Sequence, residues 1–541
     1  MELTLKDLKE NRQEWLDHGY RLPSFDADKL KENTLDHPVW VHFGAGNIFK
    51  AFHAAAAQKL IEAGVMDTGI VAAEGFDGEI VSASMRPHDN LTVAVTLCAD
   101  GSVKKDVIGS IAASYVLDRA AEEDYAALKK VFENPSLQLC TFTITEKGYS
   151  LTDRSGAFRA DVEADFAKGP QEADSYIGKV AALLYARFCA GELPVAMVST
   201  DNCSHNGDKL KDAVCAYAAK WQENGVVKDG FMAYLTESGK VSFPWSMIDK
   251  ITPRPDASVE KLLAEDGFDL KPVITSKNTY IAPFVNAEES EYLVIEDAFP
   301  NGRPAMEKAG IMFTDRETVE RVETMKVSTC LNPLHTSLAV FGCLLGFTKI
   351  CDELKDADLK ALITGVGYTE GLPAVVNPGI INPKDFIDTV VNVRFPNPFM
   401  PDTPQRIATD TSQKLSVRFG GTISRYMERA DLNPANLRLI PLVIAGWLRY
   451  LTAIDDEGKA FELSPDPMIE TLKPALAELK FGALADTAKV REVLMPLLKD
   501  PVIFGTDLEK AGLADRVIAY YEKLMKGPGA VRATLHDAVS E

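Results

Sequence analysis

The chain has 541 residues, a length that exceeds what one hydrophobic core usually organises and that predicts two domains. Its composition, 46% hydrophobic and 25% charged, is typical of a folded globular protein. The 58 basic and 79 acidic residues give a net charge of −21, which argues against a protein that wraps nucleic acid or lies on an anionic membrane. An anionic substrate stays compatible with this charge, because a local basic pocket can exist inside an acidic protein.

The cysteines and the N-terminal segment indicate the compartment. The eight cysteines include no C-x-x-C pair, which predicts free thiols rather than a disulfide framework or a zinc ribbon. The first twenty residues are charged and lack the apolar centre of a signal peptide. The longest apolar stretch, residues 334–350, is interrupted by polar side chains and favours a buried helix over a membrane span. We therefore expect a cytoplasmic protein without membrane contacts.

The first elements predict the opening of a parallel α/β sheet. The first forty residues are charged and indicate a helical extension. An apolar run at residues 39–43 predicts a strand, which is followed by Gly44-Ala45-Gly46, a helix over residues 48–63 and a second strand over residues 69–73. Further strands are predicted at residues 91–97, 137–144 and 193–199, and helices at residues 120–133 and 175–190.

The pattern changes after Arg316, where β-branched alternation gives way to long Ala- and Leu-rich helical stretches. The turn-rich segment Pro-Asn-Gly-Arg-Pro at residues 300–304 lies close to this change. We therefore predict an α/β Rossmann-type domain over residues 1–314, including the N-terminal extension, and a mostly α-helical domain over residues 315–541.

The segment from Gly44 to Phe49 stands between a predicted strand and a predicted helix, where a dinucleotide fingerprint belongs. Gly44 permits the tight turn, and Gly46 lets the backbone approach a pyrophosphate at the helix N-terminus. Asn47, Ile48 and Phe49 complete the predicted cofactor-binding segment. Phe49 replaces the third glycine of the G-x-G-x-x-G pattern, which implies a wider separation of helix and sheet.

A carboxylate at the end of the second strand indicates which dinucleotide is bound. Glu74 is placed to accept hydrogen bonds from ribose hydroxyls and to repel a 2′-phosphate, which favours NAD over NADP. Asp77 is the competing candidate, and either acid could instead cap a loop. Two possible ligands at Asp201 and His205 lack a second cluster, so no metal site is expected.

The segment around Lys326 carries the chemistry. Lys326, Asn332 and His335 place an amine, an amide and an imidazole within ten residues, which suits alcohol–ketone redox without a metal. A desolvated lysine can take a hydroxyl proton as hydride leaves, and amide donors can hold the oxygen on which negative charge develops. These residue types predict a dehydrogenase acting on a secondary alcohol.

Several blocks in the right order resemble the mannitol dehydrogenase family of polyol-specific long-chain dehydrogenases. They are Phe43-Gly-Ala-Gly-Asn-Ile-Phe49, Thr145-Glu-Lys-Gly-Tyr149, Asp201-Asn202, Phe243-Pro-Trp-Ser-Met-Ile-Asp-Lys-Ile-Thr-Pro253, Glu296-Asp297, Gly302-Arg303-Pro304 and the Lys326 segment. The resemblance runs from about residue 38 to about residue 500. It implies a Rossmann-type domain followed by a helical domain, with the substrate between them, in agreement with the division predicted above.

The resemblance also implies roles for single residues. Lys326 would be the catalytic base, Asn202 and Asn332 the amides at the reacting oxygen, and His335 the group that orients a substrate hydroxyl. Glu323 would connect the lysine to solvent. The remaining implied contacts are Asp249 beside the nicotinamide ribose, and Arg406 and Lys414 at the distal end of the substrate; the alternative for that last pair is an ordinary surface position.

One departure from the family pattern predicts a local irregularity. Family members usually place the amide five residues and the histidine eight residues after the lysine, whereas the intervals here are six and nine. Each residue turns an α-helix by about 100°, so the extra residue would swing Asn332 and His335 away from Lys326. Pro333 adds a lost hydrogen bond and a clash with the carbonyl of Thr329. A π-bulge or kink around residues 329–333 resolves both problems.

The activity implied by the resemblance is NAD-linked reduction of a keto-hexuronate, D-fructuronate to D-mannonate or tagaturonate to altronate. The alternative within the family is oxidation of mannitol or another polyol at C2. A third hypothesis is a non-catalytic NAD-binding sensor on the same scaffold. The expected partners are a small sugar acid, ketose or polyol, with no nucleic acid and no membrane, in a monomer or a small homo-oligomer.

Overall fold

The apolar runs of the first 320 residues and the helical patterns after them form separate units in a computed structural model, which describes residues 1–254, 257–268, 272–483 and 486–541. The first unit comprises Met1–Cys98 and Ser102–Glu320, and the second comprises Ala99–Gly101 and Arg321–Glu541. The functional domain boundary predicted after residue 314 stays a prediction, because a grouping of spatial neighbours does not test which domain performs which function.

A six-stranded parallel sheet forms the centre of the first unit. In spatial order its strands are Ile111–Val116, Ile70–Glu74, Trp40–Phe43, Leu139–Phe142, Val195–Ser199 and Val241–Ser242. Numbered along the chain this order is 3-2-1-4-5-6, that of dinucleotide-binding Rossmann sheets. The four inner strands are buried at every position, as expected when helices cover both faces. The order reverses between Trp40–Phe43 and Leu139–Phe142, so ligands are expected at the carboxyl ends of these two strands.

The helices predicted at residues 120–133 and 175–190 are present, whereas the one predicted at residues 48–63 begins with a π-helical segment and several other helices were not predicted. The α-helices of the first unit are Leu5–Glu10, Arg12–Asp17, Ala27–Asp36, Ala55–Glu62, Glu122–Glu133, Ala160–Lys168, Tyr176–Cys189, Asn206–Glu223, Phe231–Thr236 and Ala257–Glu265. Two segments, Phe49–Ala54 and Ile80–Met85, are π-helical, and Arg86–His88, Glu146–Tyr149 and Met306–Ala309 are 3₁₀ turns. Helix Arg316–Met325 spans the division between the units.

Among the described residues of the first unit there are also three smaller sheets, one of which corrects a prediction. A four-stranded mixed sheet has the order Tyr20–Arg21, Val103–Ile108, Thr92–Leu97, Phe284–Glu288. A three-stranded sheet contains Ser246–Asp249, Tyr292–Glu296 and Met312–Thr314, and Val273–Ile274 pairs with Tyr280–Ile281. The strand predicted at residues 91–97 therefore exists but lies in the mixed sheet, because it pairs with its antiparallel neighbour and with Phe284–Glu288.

The second unit is built from helices. They are Asn332–Leu344, Ile350–Glu353, Ala357–Thr364, Pro383–Thr389, Pro404–Ile407, Gly421–Glu428, Leu439–Tyr450, Ile469–Leu476, Thr487–Leu498, Pro501–Phe504, Ala514–Leu524 and Ala530–Ser540. Four π turns occur among them, Lys326–Cys330, Gly365–Gly371, Val390–Arg394 and Ser416–Gly420, together with 3₁₀ turns Leu372–Ala374, Thr411–Gln413 and Pro434–Asn436. Helix Leu439–Tyr450 is buried on all sides and packs against Ala514–Leu524 and Asn332–Leu344.

The predicted fold class, a Rossmann-type domain followed by a mostly helical domain, is confirmed. Within the described ranges, no helix is both long and apolar enough to cross a membrane.

Candidate active site

The glycine loop follows the central strand at the switch point of the parallel sheet. Gly44 has φ +98°, and a Cβ there would stand 2.4 Å from the carbonyl oxygen of Thr143, so only glycine fits. Its N–H donates to the carbonyl of Ala73 at 2.9 Å. Gly46 is exposed, and among the described residues no atom lies within 4 Å of the position its Cβ would take. The loop is thus fixed at Gly44 and open at Gly46, which leaves room for a ligand close to the backbone.

Phe49 shows how the helix tolerates the missing third glycine. Its ring is fully buried and stacks on the imidazole of His42, with 4.2 Å between the ring centroids. The segment Phe49–Ala54 is π-helical, a wider winding than the α-helix that follows it. Asn47 and Ile48, both half-buried, precede this segment. The bulky residue is therefore accommodated by a change of helix type and by stacking on the central strand.

Glu74 connects the two loops at the end of the second strand. One carboxylate oxygen accepts the N–H of Ala45 at 2.7 Å. The other accepts the N–H groups of Phe76 at 2.7 Å and Asp77 at 2.9 Å. The side chain is 4% exposed. The loop-capping alternative considered for this acid is thus what the structure shows, and the ribose contact of Glu74 stays a prediction.

A second buried carboxylate joins the ends of the fourth and fifth strands. Asp201 accepts the N–H groups of Ile144 at 3.0 Å and Thr145 at 2.8 Å, and the hydroxyl of Tyr149 at 2.5 Å. Burial raises the pKa of Asp201 above its usual value despite these three donors. The clamp fixes the backbone directly before Asn202, which is exposed.

Asp249 and the possible metal ligands Asp201 and His205 are the remaining candidate positions of the first unit. Asp249 ends strand Ser246–Asp249 and is 5% exposed. Across the part of the chain that the structure describes, no group of three or more His, Cys, Asp or Glu side chains is placed to hold a metal ion.

In the second unit, the Lys326 segment has the irregularity that the spacing predicts. Residues Lys326–Cys330 form a π turn, closed by a hydrogen bond from the N–H of Leu331 to the carbonyl of Lys326 at 3.1 Å. Leu331 then breaks the winding, with φ −127° and ψ −63°, and helix Asn332–Leu344 begins. Pro333 lies in its first turn, where a missing N–H costs nothing. The predicted bulge is confirmed, but it begins three residues earlier than expected.

This winding determines the placement of the predicted catalytic residues. Lys326 is 4% exposed and stands at the first position of the π turn. Glu323 is half-buried one turn earlier, on helix Arg316–Met325. Asn332 and His335, both half-buried, belong to the first turn of the following helix, against which the π turn packs. The four side chains thus lie on one continuous helix–π turn–helix segment.

His335 lies beside a buried carboxylate and among positive charges. Its Nε2 is 3.5 Å from Oδ2 of Asp402, and its ring centroid is 4.9 Å from that of Phe395. Burial first, and then the charges of Arg418, Arg394, Arg406 and Lys414, hold the pKa of His335 well below its usual value. The imidazole is therefore neutral at physiological pH.

The cations named above form what we call the basic cluster: Arg394, Arg406, Lys414 and Arg418. Arg406 donates to Oδ1 of Asp402 and Lys414 donates to the carbonyl of Thr409. Arg418 donates to the hydroxyl of Thr336, which in turn donates to the carbonyl of Asn332 at 2.9 Å.

The basic cluster is partly desolvated, and two of its residues were not predicted from the sequence. Burial lowers the pKa of Arg418 to about 10. Burial also lowers the pKa of Lys414, and the positive charge of Arg418 lowers it further. Arg394 and Arg418 were not singled out from the sequence. Arg418 could have been found, because it follows Lys414 by four residues and shares a helical face with it.

A Rossmann sheet with an open glycine loop, followed by a helical unit whose buried lysine shares one helical segment with an amide and an imidazole, is typical of dinucleotide-linked dehydrogenases. Two family models match the chain in tandem: "Mannitol dehydrogenase Rossmann domain" at residues 39–308 and "Mannitol dehydrogenase C-terminal domain" at residues 318–525. The chain belongs to the mannitol dehydrogenase family, and it is an oxidoreductase that acts on CH–OH groups.

Two named relatives cover almost the whole chain. The D-mannonate oxidoreductase of Thermotoga maritima is 50% identical over 539 residues, which are 99% of this chain and 98% of the relative. The polyol:NADP oxidoreductase of Gluconobacter oxydans is 30% identical over 95% of this chain and 96% of its own length.

Two solved structures share the fold. A D-sorbitol dehydrogenase in substrate-free form superposes with a TM-score of 0.78 at 27% identity, covering 96% of this chain and 97% of the other. The mannitol 2-dehydrogenase of Pseudomonas fluorescens, solved as a ternary complex with NAD and D-mannitol, has a TM-score of 0.67 at 25% identity and covers 100% of both chains.

Proposed function

We propose that this protein is an NAD-dependent keto-hexuronate reductase that reversibly converts D-fructuronate to D-mannonate, or tagaturonate to altronate, with Lys326 as general acid and base. The basic cluster carries this proposal. Four cations lie close enough to His335 to lower its pKa, and Asp402 accepts from one of them and lies 3.5 Å from the imidazole. A substrate carboxylate can form charge-assisted hydrogen bonds with these cations, whereas an uncharged ketose cannot. The 50% identical relative is a D-mannonate oxidoreductase.

The glycine loop fits a dinucleotide. The backbone at Gly46 is open to a pyrophosphate, which the N-terminus of the following helix also favours. Glu74 at the end of the second strand disfavours a 2′-phosphate by charge repulsion, which supports NAD over NADP. The bound nicotinamide supplies the hydride acceptor in oxidation and the hydride donor in reduction. We assign the contact with its ribose to Asp249.

The chain's own residues move the proton and hold the oxygen. In oxidation, Lys326 takes the hydroxyl proton of the secondary alcohol, the C–H bond breaks with loss of hydride, and the C=O bond forms. In reduction, the ammonium of Lys326 returns the proton to the carbonyl oxygen. We assign Asn202 and Asn332 as the amide donors to that oxygen. Glu323, one turn before the lysine, passes the proton to solvent, and His335 orients a neighbouring hydroxyl.

Arg406 and Lys414 bind the distal end of the substrate in this proposal, and Arg418 and Arg394 join them. A desolvated guanidinium loses its hydration on burial, so an anionic ligand that restores two hydrogen bonds is bound strongly. Oxidation of mannitol or another polyol at C2 is the second candidate, because both similar solved structures are of dehydrogenases named for uncharged polyols.

Substrate profiling tests the proposal. NADH oxidation is measured with fructuronate, tagaturonate and fructose, and kcat/KM for one of the two hexuronates is expected to exceed that for fructose by at least tenfold. A clear preference for fructose would refute the hexuronate assignment and leave the polyol candidate.

A lysine variant separates catalysis from a sensor function. Lys326→Met is expected to lower kcat by about 10²–10⁴-fold, the usual contribution of a general acid–base group. Lys384→Met is the matched control, since Lys384 is an exposed lysine paired with Asp388. Full turnover by the Lys326 variant would overturn the lysine assignment.

A further inference from the structure

Asp402 is a buried carboxylate at the meeting point of three elements of the second unit. It is 6% exposed and immediately precedes Thr403, which caps helix Pro404–Ile407. Its main-chain carbonyl accepts the N–H of Ile350 at 3.0 Å, which fixes its backbone. Its two carboxylate oxygens face different partners: Oδ1 accepts from Arg406, and Oδ2 lies 3.5 Å from Nε2 of His335.

The chemistry of the pair determines which imidazole nitrogen carries the hydrogen. A carboxylate only accepts hydrogen bonds, and a neutral imidazole has one N–H. The imidazole of His335 is neutral because burial and the basic cluster disfavour its charged form. The contact with Oδ2 is therefore favourable in the tautomer with hydrogen on Nε2. At 3.5 Å the contact is longer than a normal hydrogen bond, and catalytic hydrogen bonds often tighten on ligand binding.

The same carboxylate also orients a member of the basic cluster. Arg406 uses one of its five N–H donors on Asp402 and keeps others for a ligand. The side chain of Arg406 is 60% exposed, so without this contact a long flexible side chain would have to be ordered when substrate binds. Asp402 thus has one oxygen bonded to the guanidinium and the other facing the imidazole at 3.5 Å.

We propose that Asp402 is a positioning residue that fixes His335 in the Nε2–H tautomer and preorders Arg406, leaving Nδ1 of His335 as the acceptor for a substrate hydroxyl. The proposal rests on the proposed function for the roles of His335 and Arg406. It adds the group that acts through both of them. Direct transfer of a proton to Asp402 is not part of it.

Nitrogen NMR of the protein labelled with ¹⁵N-histidine tests the tautomer directly. The chain has eight histidines, and His335→Asn identifies the signals of this ring. In the ligand-free wild type, the Nε2 signal of His335 is expected at the protonated position and the Nδ1 signal at the unprotonated one. The Nδ1–H tautomer in the wild type would overturn the proposal. Because no substrate is present, this result is independent of which sugar the enzyme uses.

Asp402→Asn extends the test to the carboxylate itself. The amide cannot accept from His335 and Arg406 with both of its polar atoms, so we expect a mixture of tautomers and a kcat at least tenfold lower. Asp431→Asn is the matched control, since it removes a surface Asp–Arg pair with Arg429. Arg406→Gln is a second variant, which should raise KM for the hexuronate while His335 keeps its tautomer. An unchanged tautomer and unchanged kcat in Asp402→Asn would refute the positioning role.

Discussion

Replacing Glu353 with glutamine should stabilise the protein at neutral pH. The side chain of Glu353 is fully buried, and neither carboxyl oxygen has a hydrogen-bond partner among the described residues. It packs against helix Asn332–Leu344 at Gly342, where a Cβ would stand 2.2 Å from Oε1 of Glu353. Burial first, and then the charge of Asp356, raises the pKa of Glu353 to about 9. The folded protein therefore holds this group as the neutral acid at pH 7.

The magnitude follows from proton linkage. The pKa is about 9 in the folded state and 4.5 in the unfolded state, so the unfolded chain releases this proton as the pH rises above 4.5 while the folded chain retains it. Stability is then lost progressively between pH 4.5 and pH 9. At pH 7 the loss covers 2.5 pH units, or about 3 kcal/mol at roughly 1.4 kcal/mol per unit. Glutamine removes this loss and keeps a buried neutral polar group of the same shape.

Thermal unfolding at several pH values measures the effect. Glu353→Gln should match the wild type near pH 4.5 and exceed it at pH 7, by roughly 6–12 °C if a unit of 150–250 residues unfolds cooperatively. Glu462→Gln, at an exposed glutamate of the same unit, is the control and should show no such trend. Equal melting temperatures of wild type and Glu353→Gln at pH 7 would refute the reasoning, since they would mean that the carboxyl is solvated.

Three further predictions concern the glycine loop, the buried histidines and the basic cluster. Gly44→Ala should unfold at a lower temperature than the wild type, because its Cβ meets a backbone carbonyl at 2.4 Å. Gly46→Ala should melt like the wild type but bind NADH at least tenfold more weakly in a fluorescence titration. A lower melting temperature for Gly46→Ala than for Gly44→Ala, or unchanged NADH binding by Gly46→Ala, would contradict the loop geometry. Burial lowers the pKa of His53 to about 4, so its imidazole, bonded to Thr200, costs roughly 3 kcal/mol of stability as the pH falls from 6.5 to 4, and His53→Gln should be less acid-sensitive in denaturant titrations. Arg418→Met should raise KM about 10–100-fold for a hexuronate and leave KM for fructose nearly unchanged, and equal effects on both would show that Arg418 only supports the fold.

The first strand and helix of the parallel sheet could be predicted because their sequence signals are local. The apolar run before Gly44 and the glycine turn after it indicate a strand and a helix without any distant contact. Strand Ile111–Val116 was missed because it follows strand Val103–Ile108 after only two residues, with no helix between them to mark a parallel crossover. Strand Thr92–Leu97 also pairs in parallel with Phe284–Glu288, and a pairing between strands nearly two hundred residues apart leaves no local pattern in the sequence.

The candidate site shows the same division between local and distant signals. The π turn after Lys326 could be predicted because an extra residue and Pro333 cannot both fit a regular helix. Its starting point could not, because the position of the i→i−5 hydrogen bond depends on the packing around it. Asp402 gave no signal in the sequence, since its importance comes from contacts with His335 and Ile350, which are more than fifty residues away along the chain.

The three hydrogen bonds at Glu74 bear on attempts to change the cofactor preference of this enzyme. One route to NADP would exchange the acid at the end of the second strand for a small or basic residue. Here that exchange would leave the N–H groups of Ala45, Phe76 and Asp77 without their acceptor in a buried place, so a loss of cofactor affinity would reflect a disordered loop as much as a changed charge. A redesign for NADP therefore has to retain the carboxylate of Glu74, because both of its oxygens accept N–H groups and glutamine has only one such oxygen, and to introduce its positive charge from another position on the loop.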